Sequence, residues 1–209
     1  MRTESVRIYE FDELDDSTKT RAIEDYRVHG IDHDWHEATI DMLAEIADWL
    51  GIDTRVRRVK LMNGNTRLDP AIGYSGFWSQ GDGAHFEGTY EYSRGALKRI
   101  RTECPQDTEL HRIASELQEL QRPYFYSLCA SVNHSGFYQH ENCTIIDVYS
   151  DVRDVDADTV NEVQTLLRDF MRWMYRTLER EYEYQTSDEY ISEIIRANEY
   201  EFYADGSMV

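Results

Sequence analysis

In the last third of the chain the apolar residues Val160, Val163, Leu167, Phe170, Met174 and Leu178 recur at steps of three and four. That spacing is one face of an α-helix several turns long, the longest element the chain predicts. A stripe of that length needs an equally long apolar surface to cover it. The fold must therefore be built around this helix. Arg168, Arg172, Arg176 and Arg180 recur at every fourth position on the side away from the stripe. They are expected to pair with nearby acids, for example Asp169 with Arg172 and Arg176 with Glu179, or to meet acids across the fold or across a dimer interface.

The covering surface is expected from the middle of the chain. Arg55–Met62 reads as a strand followed by the turn signal Asn63-Gly64, and Ile72–Trp78 and His85–Ser93 read as strands joined by Ser79–Gly83. Helical segments follow near Gly95–Glu103 and Thr108–Leu120, and then a second strand pair, Phe125–Asn133 and Cys143–Val152, which brackets 134–142. Ser75-Gly76-Phe77-Trp78 is echoed by Ser135-Gly136-Phe137-Tyr138, each ahead of a polar turn, as in a diverged repeat or by chance.

At the start, Val6–Phe11 suits a short strand, and Asp15 suits the N-cap of a helix with Ala22, Ile23 and Tyr26 inward and Gly30 as its end. A second helix is predicted over Asp34–Leu50, with Gly51 as its C-cap and Trp35, Thr39, Met42, Ile46 and Trp49 as its buried face. At the end, Thr186 and Glu189 form a capping box for a shorter helix carrying Ile191, Ile194 and Ile195. Tyr200–Tyr203 suits an edge strand before the Asp205-Gly206 turn. The expectation is one α+β domain over 1–209. A mostly antiparallel central sheet from 54–152 carries the acidic N-terminal helix pair of 1–53 and the long C-terminal helices of 153–209 packed on it.

Charge narrows the function. The chain carries -19, and the excess lies at the two ends: residues 1–53 hold 15 acids and 5 bases, residues 151–209 hold 15 and 6, and the middle is neutral. Such a chain is repelled by nucleic acid and anionic lipid and attracted to basic partners. On the second helix Glu37, Asp41, Glu45 and Asp48 share one side, opposite the expected core face. They span about 16 Å, or roughly 4 Å per charge, close to the 3.4 Å spacing along one DNA strand. They form the first candidate surface for a basic partner, with Glu179, Glu181 and Glu183 second. A solvated helix face is the plainer reading of the same row.

Catalytic and metal readings are weaker. Ser79, Asp82 and His85 are residue types that acyl transfer needs, but they neighbour one another on an expected hairpin, where a glycine-dependent turn explains them. His29, His33 and His36 with Glu37 straddle a helix start without a completing ligand set, so no metal and no cofactor is expected. Cys104, Cys129 and Cys143 are odd in number and lack C-x-x-C spacing, which fits free thiols in a reducing compartment. No run approaches the roughly 18 apolar residues of a membrane span. A soluble, cytoplasmic protein is expected.

Phe11-Asp12-Glu13-Leu14, Ser75–Gly83 (SGFWSQGDG) with Ala84 and Phe86, and Asn198-Glu199-Tyr200-Glu201-Phe202 resemble motifs of a poorly characterised set of phage- and prophage-encoded proteins, some described as antitoxin-like. The resemblance touches the start, middle and end of the chain and brings no catalytic residue with it. It implies a phage context and a bacterial host cytoplasm. It further implies an inhibitor of a host defence complex of the CRISPR or restriction type, whose nucleic-acid channel is basic. The leading expectation is therefore a non-enzymatic inhibitor that blocks nucleic-acid access by binding a basic protein surface, with no direct nucleic-acid or membrane contact. The alternatives are a small hydrolase or nucleotide-processing enzyme using the 79–85 and 134–142 loops, or an antitoxin neutralising a basic toxin. A homodimer is compatible with each.

Overall fold

A computed structural model describes residues 6–60 and 64–209. In chain order these form β1 (Tyr9–Glu10), α1 (Asp16–His29), α2 (Glu37–Leu50), β2 (Ile52–Thr54), β3 (Val56–Lys60) and β4 (Thr66–Pro70). Next come β5 (Ile72–Ser75), β6 (Gly83–Phe86), β7 (Gly88–Tyr90), α3 (Ala96–Glu103) and α4 (Thr108–Gln121). The chain ends with β8 (Leu128–His134), β9 (Thr144–Ser150), α5 (Ala157–Gln185), α6 (Asp188–Ala197) and β10 (Glu201–Phe202). The protein is α+β with antiparallel strand pairing throughout the described residues. It divides into two compact units, Met1–His36 with Arg180–Val209, and Glu37–Glu179.

The larger unit holds the four-stranded sheet, in the order β2-β7-β8-β9. Strands β3 and β4 form a hairpin of their own, as do β5 and β6. Three backbone hydrogen bonds tie these pieces together where the strands change partner. The Arg55 N–H donates to the Glu87 carbonyl (2.7 Å), Ala71 N–H to the Arg55 carbonyl (2.6 Å), and Glu87 N–H to the Ala71 carbonyl (2.9 Å). Three strand breaks thus meet at one cyclic junction that leaves none of these N–H donors unpaired.

The apolar stripe of α5 is buried as its spacing requires: Val163, Leu167, Phe170, Met174 and Leu178 are inaccessible to solvent, with Leu166, Met171 and Trp173 alongside. Each such side chain contributes about 1.5–3 kcal/mol by leaving water. Phe170 lies edge-on to Phe86 of β6 at 6.2 Å, so the stripe meets the strand layer directly. Asp156 caps the helix, accepting from the Thr159 N–H (2.9 Å) and the Tyr124 hydroxyl (2.5 Å). Those bonds hold its carboxyl down at about 2.

The polar side of α5 screens a sheet edge. Gln164 Nε2 donates to the Ile146 carbonyl (2.8 Å) and Arg168 to the Thr144 carbonyl (3.4 Å), which covers outward carbonyls of the terminal strand β9. Arg172 binds Glu141 (3.0 Å) and Asp169, and Arg176 approaches Glu109 (3.8 Å). The Asp169–Arg172 pairing is as the spacing suggests, and Arg176 reaches Glu109 of α4.

Helix α2 starts later than its sequence suggests, at Glu37, and it buries Thr39, Leu43, Ile46, Ala47 and Leu50. Met42 is 41% exposed, so the expected face is corrected by a rotation of roughly 60° at 100° per residue. Gly51 closes the helix at φ +87°. Asn63 and the end of the expected Arg55–Met62 strand lie outside the described residues.

The smaller unit has its own apolar cluster of Phe11, Leu14, Ala22, Ile23, Ile191, Ile195 and Phe202. Asp15 caps α1 through the Thr18 N–H (2.9 Å), and β1 pairs with β10 in the register Tyr9↔Phe202. The N-cap of α6 is Ser187, whose hydroxyl accepts from the Tyr190 N–H (3.2 Å). Thr186 is therefore not the cap; its hydroxyl donates back to the Tyr182 carbonyl (2.7 Å) at the end of α5.

Candidate functional site

The acidic row on α2 stands on the side away from its buried residues, and the corrected face makes the opposition nearly diametric. Its four charges are not equivalent. Half-buried Glu37 is ion-paired with Arg67 of β4, which also holds Asp69. Glu45 lies 4.0 Å from Arg99, whose guanidinium stacks over the Trp49 ring at 4.6 Å. Asp41 and Asp48 are exposed and have no ion pair among the described residues. The row is thus partly neutralised at its N-terminal end and open along the rest.

The C-terminal acids are divided between the two units. Glu179 falls in the larger unit and Glu181 and Glu183 in the smaller one. Glu181 accepts from Gln185 Nε2 (2.6 Å), and Glu183 is exposed.

The loop site is built differently from what acyl transfer needs. Asp82 Oδ2 accepts the backbone N–H groups of Trp78 (3.0 Å) and Ser79 (2.6 Å), so the carboxylate organises the turn. Ser79 is exposed and His85 is wholly buried in β6. Among the described residues neither the Ser79 hydroxyl nor Asp82 is hydrogen-bonded to the His85 ring, so the structure does not assemble them into a relay.

The fold does bring together the two hairpins that carry the echoed segments. Each follows the first strand of a hairpin, after β5 and after β8. His85 stacks face to face on His134 with ring centroids 3.9 Å apart. A side chain on Gly81, at φ +100°, would strike the Tyr138 ring at 2.8 Å, and one on Gly83 would strike the His140 backbone at 2.9 Å. The glycines of the SGFWSQGDG string thus allow one loop to lie against the other. The Tyr175 hydroxyl donates to the Gly76 carbonyl (3.1 Å), and His134 Nε2 lies 2.9 Å from the Tyr138 carbonyl. The loops expose Trp78 and Phe137, at 80% and 87%.

Among the described residues His85 finds no well-formed hydrogen bond at either ring nitrogen, and the Gln139 backbone exerts only a weak pull. Burial, with His134 and Arg57 nearby, pushes its pKa down to about 4, so the ring is neutral near pH 7. Below it, Glu141 is buried between Arg172 (3.0 Å) and His140 Nδ1 (3.1 Å). His134, His140 and Glu141 were not separable from the sequence, since their partners lie tens of residues away. The polar string His134–Asn142 was the one signal present.

His29 lies beside Asp25 (3.2 Å). Among the described residues no group of three or more His, Cys, Asp or Glu side chains is placed to hold a metal ion. The three cysteines are free, and burial raises the thiol pKa of Cys104 and Cys129. No described helix is long and apolar enough to cross a membrane.

No curated protein and no solved structure matches the chain. A family model matches residues 35–188, which takes in α2, every strand from β2 to β9 and all of α5. The SGFWSQGDG string lies inside that span, and the FDEL and NEYEF strings lie outside it. On that match the chain belongs to the family described as Domain of unknown function (DUF8835).

Proposed function

We infer that the protein is a non-enzymatic binding protein whose partner presents a basic protein surface. The observation that carries this reading is the exposed side of α2, where Asp41 and Asp48 stand without ion pairs among the described residues, beside loosely held Glu45. Free carboxylates along one helix face, on a chain of charge -19, attract a basic surface and steer it into register. The phage-type resemblance supports reading that partner as a nucleic-acid-binding host defence complex, with the acidic row occupying ground that phosphates would otherwise take. A basic toxin is the other partner of the same chemistry. The Ser79, Asp82 and His85 arrangement gives the hydrolase reading no support, because the carboxylate is already bonded to backbone.

The test is capture of host-cell proteins on the immobilised full chain, followed by quantitative binding of the recovered partner. Wild-type affinity is expected to fall steeply with salt. An Asp41→Lys, Glu45→Lys, Asp48→Lys variant that retains its circular dichroism should lose binding. Partner binding that is insensitive to salt and survives the triple reversal would overturn the reading.

A further inference from the structure

The β3–β4 hairpin is an anomaly in an acidic protein. Every residue of β3 is exposed, and so are the first three of β4. Its register pairs Val56 with Pro70, Arg58 with Leu68, and Lys60 with Thr66 on one face; Arg57 with Asp69 and Val59 with Arg67 lie on the other. The second face is satisfied within the chain, since Arg57 is held by Glu87 (2.5 Å) and Arg67 by Glu37 and Asp69. The first face is not. Val56 is 57% and Leu68 64% exposed, and Arg58 and Lys60 have no ion pair among the described residues. Two free cations flanked by bare apolar groups on an uncovered ribbon form a surface that calls for a covering partner.

The complementary surface is on the same chain. The outward side of α2 offers Asp41, Glu45 and Asp48, with Met42 exposed next to Asp41. Arg58 and Lys60, two residues apart on a strand, are separated by about 6.7 Å, and Asp41 and Glu45, one turn apart on a helix, by about 6 Å. The chemistry has a precedent within one chain, where Arg67 of this hairpin already holds Glu37, the first acid of the row.

We propose that the protein self-associates as a two-fold dimer in which the Val56–Arg58–Lys60 face of each β3–β4 hairpin docks on the Asp41–Glu45 face of the partner subunit's α2. A two-fold axis makes the contact twice, so each copy gives one hairpin and receives one. The contact does not depend on the partner-binding reading. It competes with a basic partner for Asp41 and Glu45, so dimerisation caps the acidic row.

The test is the molar mass of the full chain in solution, by light scattering and sedimentation equilibrium. Wild type should have twice the chain mass at low salt and revert to monomer at high salt. Arg58→Glu with Lys60→Glu, and Asp41→Arg with Glu45→Arg, should each be monomeric with unchanged circular dichroism. In an equimolar mixture of the two variants, one contact is charge-swapped and the other is wild type, so the dimer mass should return. A monomeric wild type at low salt, a dimer that persists in either variant, or a mixture that stays monomeric would each overturn the proposal. So would duplex DNA binding by a monomeric chain that is lost in the Arg58→Glu, Lys60→Glu variant, which would give the hairpin to a polyanion. None of these measurements uses a host partner, so either idea fails without the other.

Discussion

His85 is sealed in β6 against the His134 ring, and the cost of charging it there shows as a pKa near 4. Desolvation is the largest cause; His134 and Arg57 disfavour the charged ring further, while Glu87 favours it. In an unfolded chain the same imidazole titrates near 6.5. Between about pH 6.5 and 4, the unfolded chain therefore binds a proton that the folded chain refuses. Stability is lost as pH falls through that window and is unaffected by this group above it. The full loss amounts to about 3 kcal/mol. Urea unfolding from pH 7.5 down to 4.5 should show that loss in wild type and a shallower dependence in His85→Leu, the difference between the two curves isolating this residue from the carboxylates. Equal slopes would mean that the ring takes up its proton without leaving the fold. Gln121 is a second buried polar group with the opposite character. Its amide accepts from the Leu128 N–H (3.0 Å) and donates to the Leu128 carbonyl (2.7 Å), joining the end of α4 to the start of β8. Gln121→Leu would leave both backbone groups unpaired, and denaturant titration should report a loss of about 2–4 kcal/mol. The sequence singles out His85 by its neighbours in the loop. It does not show the burial, because His134 and Gln139 arrive from another hairpin.

Elements were legible where their signal is local. Asp15 accepts a backbone N–H three residues ahead, as its position suggests, and the α5 stripe is one uninterrupted period. The misreadings also have local causes. On α2 the bulky Trp35, Met42 and Trp49 dominate a count of apolar residues, yet the close approach to neighbouring elements is made by Leu43, Ala47 and Leu50, which are smaller and fully buried. Strand β4 is hard to see because Thr66–Pro70 alternates no apolar residues and ends in proline, which an exposed ribbon tolerates and a central strand does not. At the start of α6, Thr186 and Ser187 compete for the cap. The helix takes Ser187 because the Thr186 hydroxyl is engaged with the last turn of α5. Ser187→Ala should therefore lower stability by about 1 kcal/mol, while Thr186→Ala costs distinctly less. Thermal melts of the two variants decide between them, and the reverse order would restore the capping box read from sequence.

At the scale of the molecule, one quantity acts on stability and on binding with opposite signs. A charge of -19 distributed over the surface repels itself, which opposes compaction. Much of the basic complement is already committed internally: Arg112 holds Glu109 (2.9 Å), Glu116 (2.8 Å) and Asp169 (2.6 Å), and Arg172 holds Glu141. These partly exposed pairs contribute little individually, and salt weakens them. The unpaired excess is larger than they are, so screening it should dominate. Added salt is then expected to raise the melting temperature of the full chain, while the same salt weakens any contact made through Asp41, Glu45 and Asp48. The two responses are measured on one sample series, by differential scanning fluorimetry and by affinity for a basic partner or by dimer mass. A chain whose melting temperature falls with salt would show instead that its internal ion pairs outweigh its self-repulsion. In that case the acidic surface would have to be read as mutually compensated rather than as an open field. Net charge is visible in the sequence from the first count, but its division into paired and unpaired carboxylates is not. That division is decided by which strand or helix each arginine reaches in three dimensions. Arg67 neutralises Glu37, Arg99 holds Glu45 only loosely, and Asp41 and Asp48 stay exposed beside it.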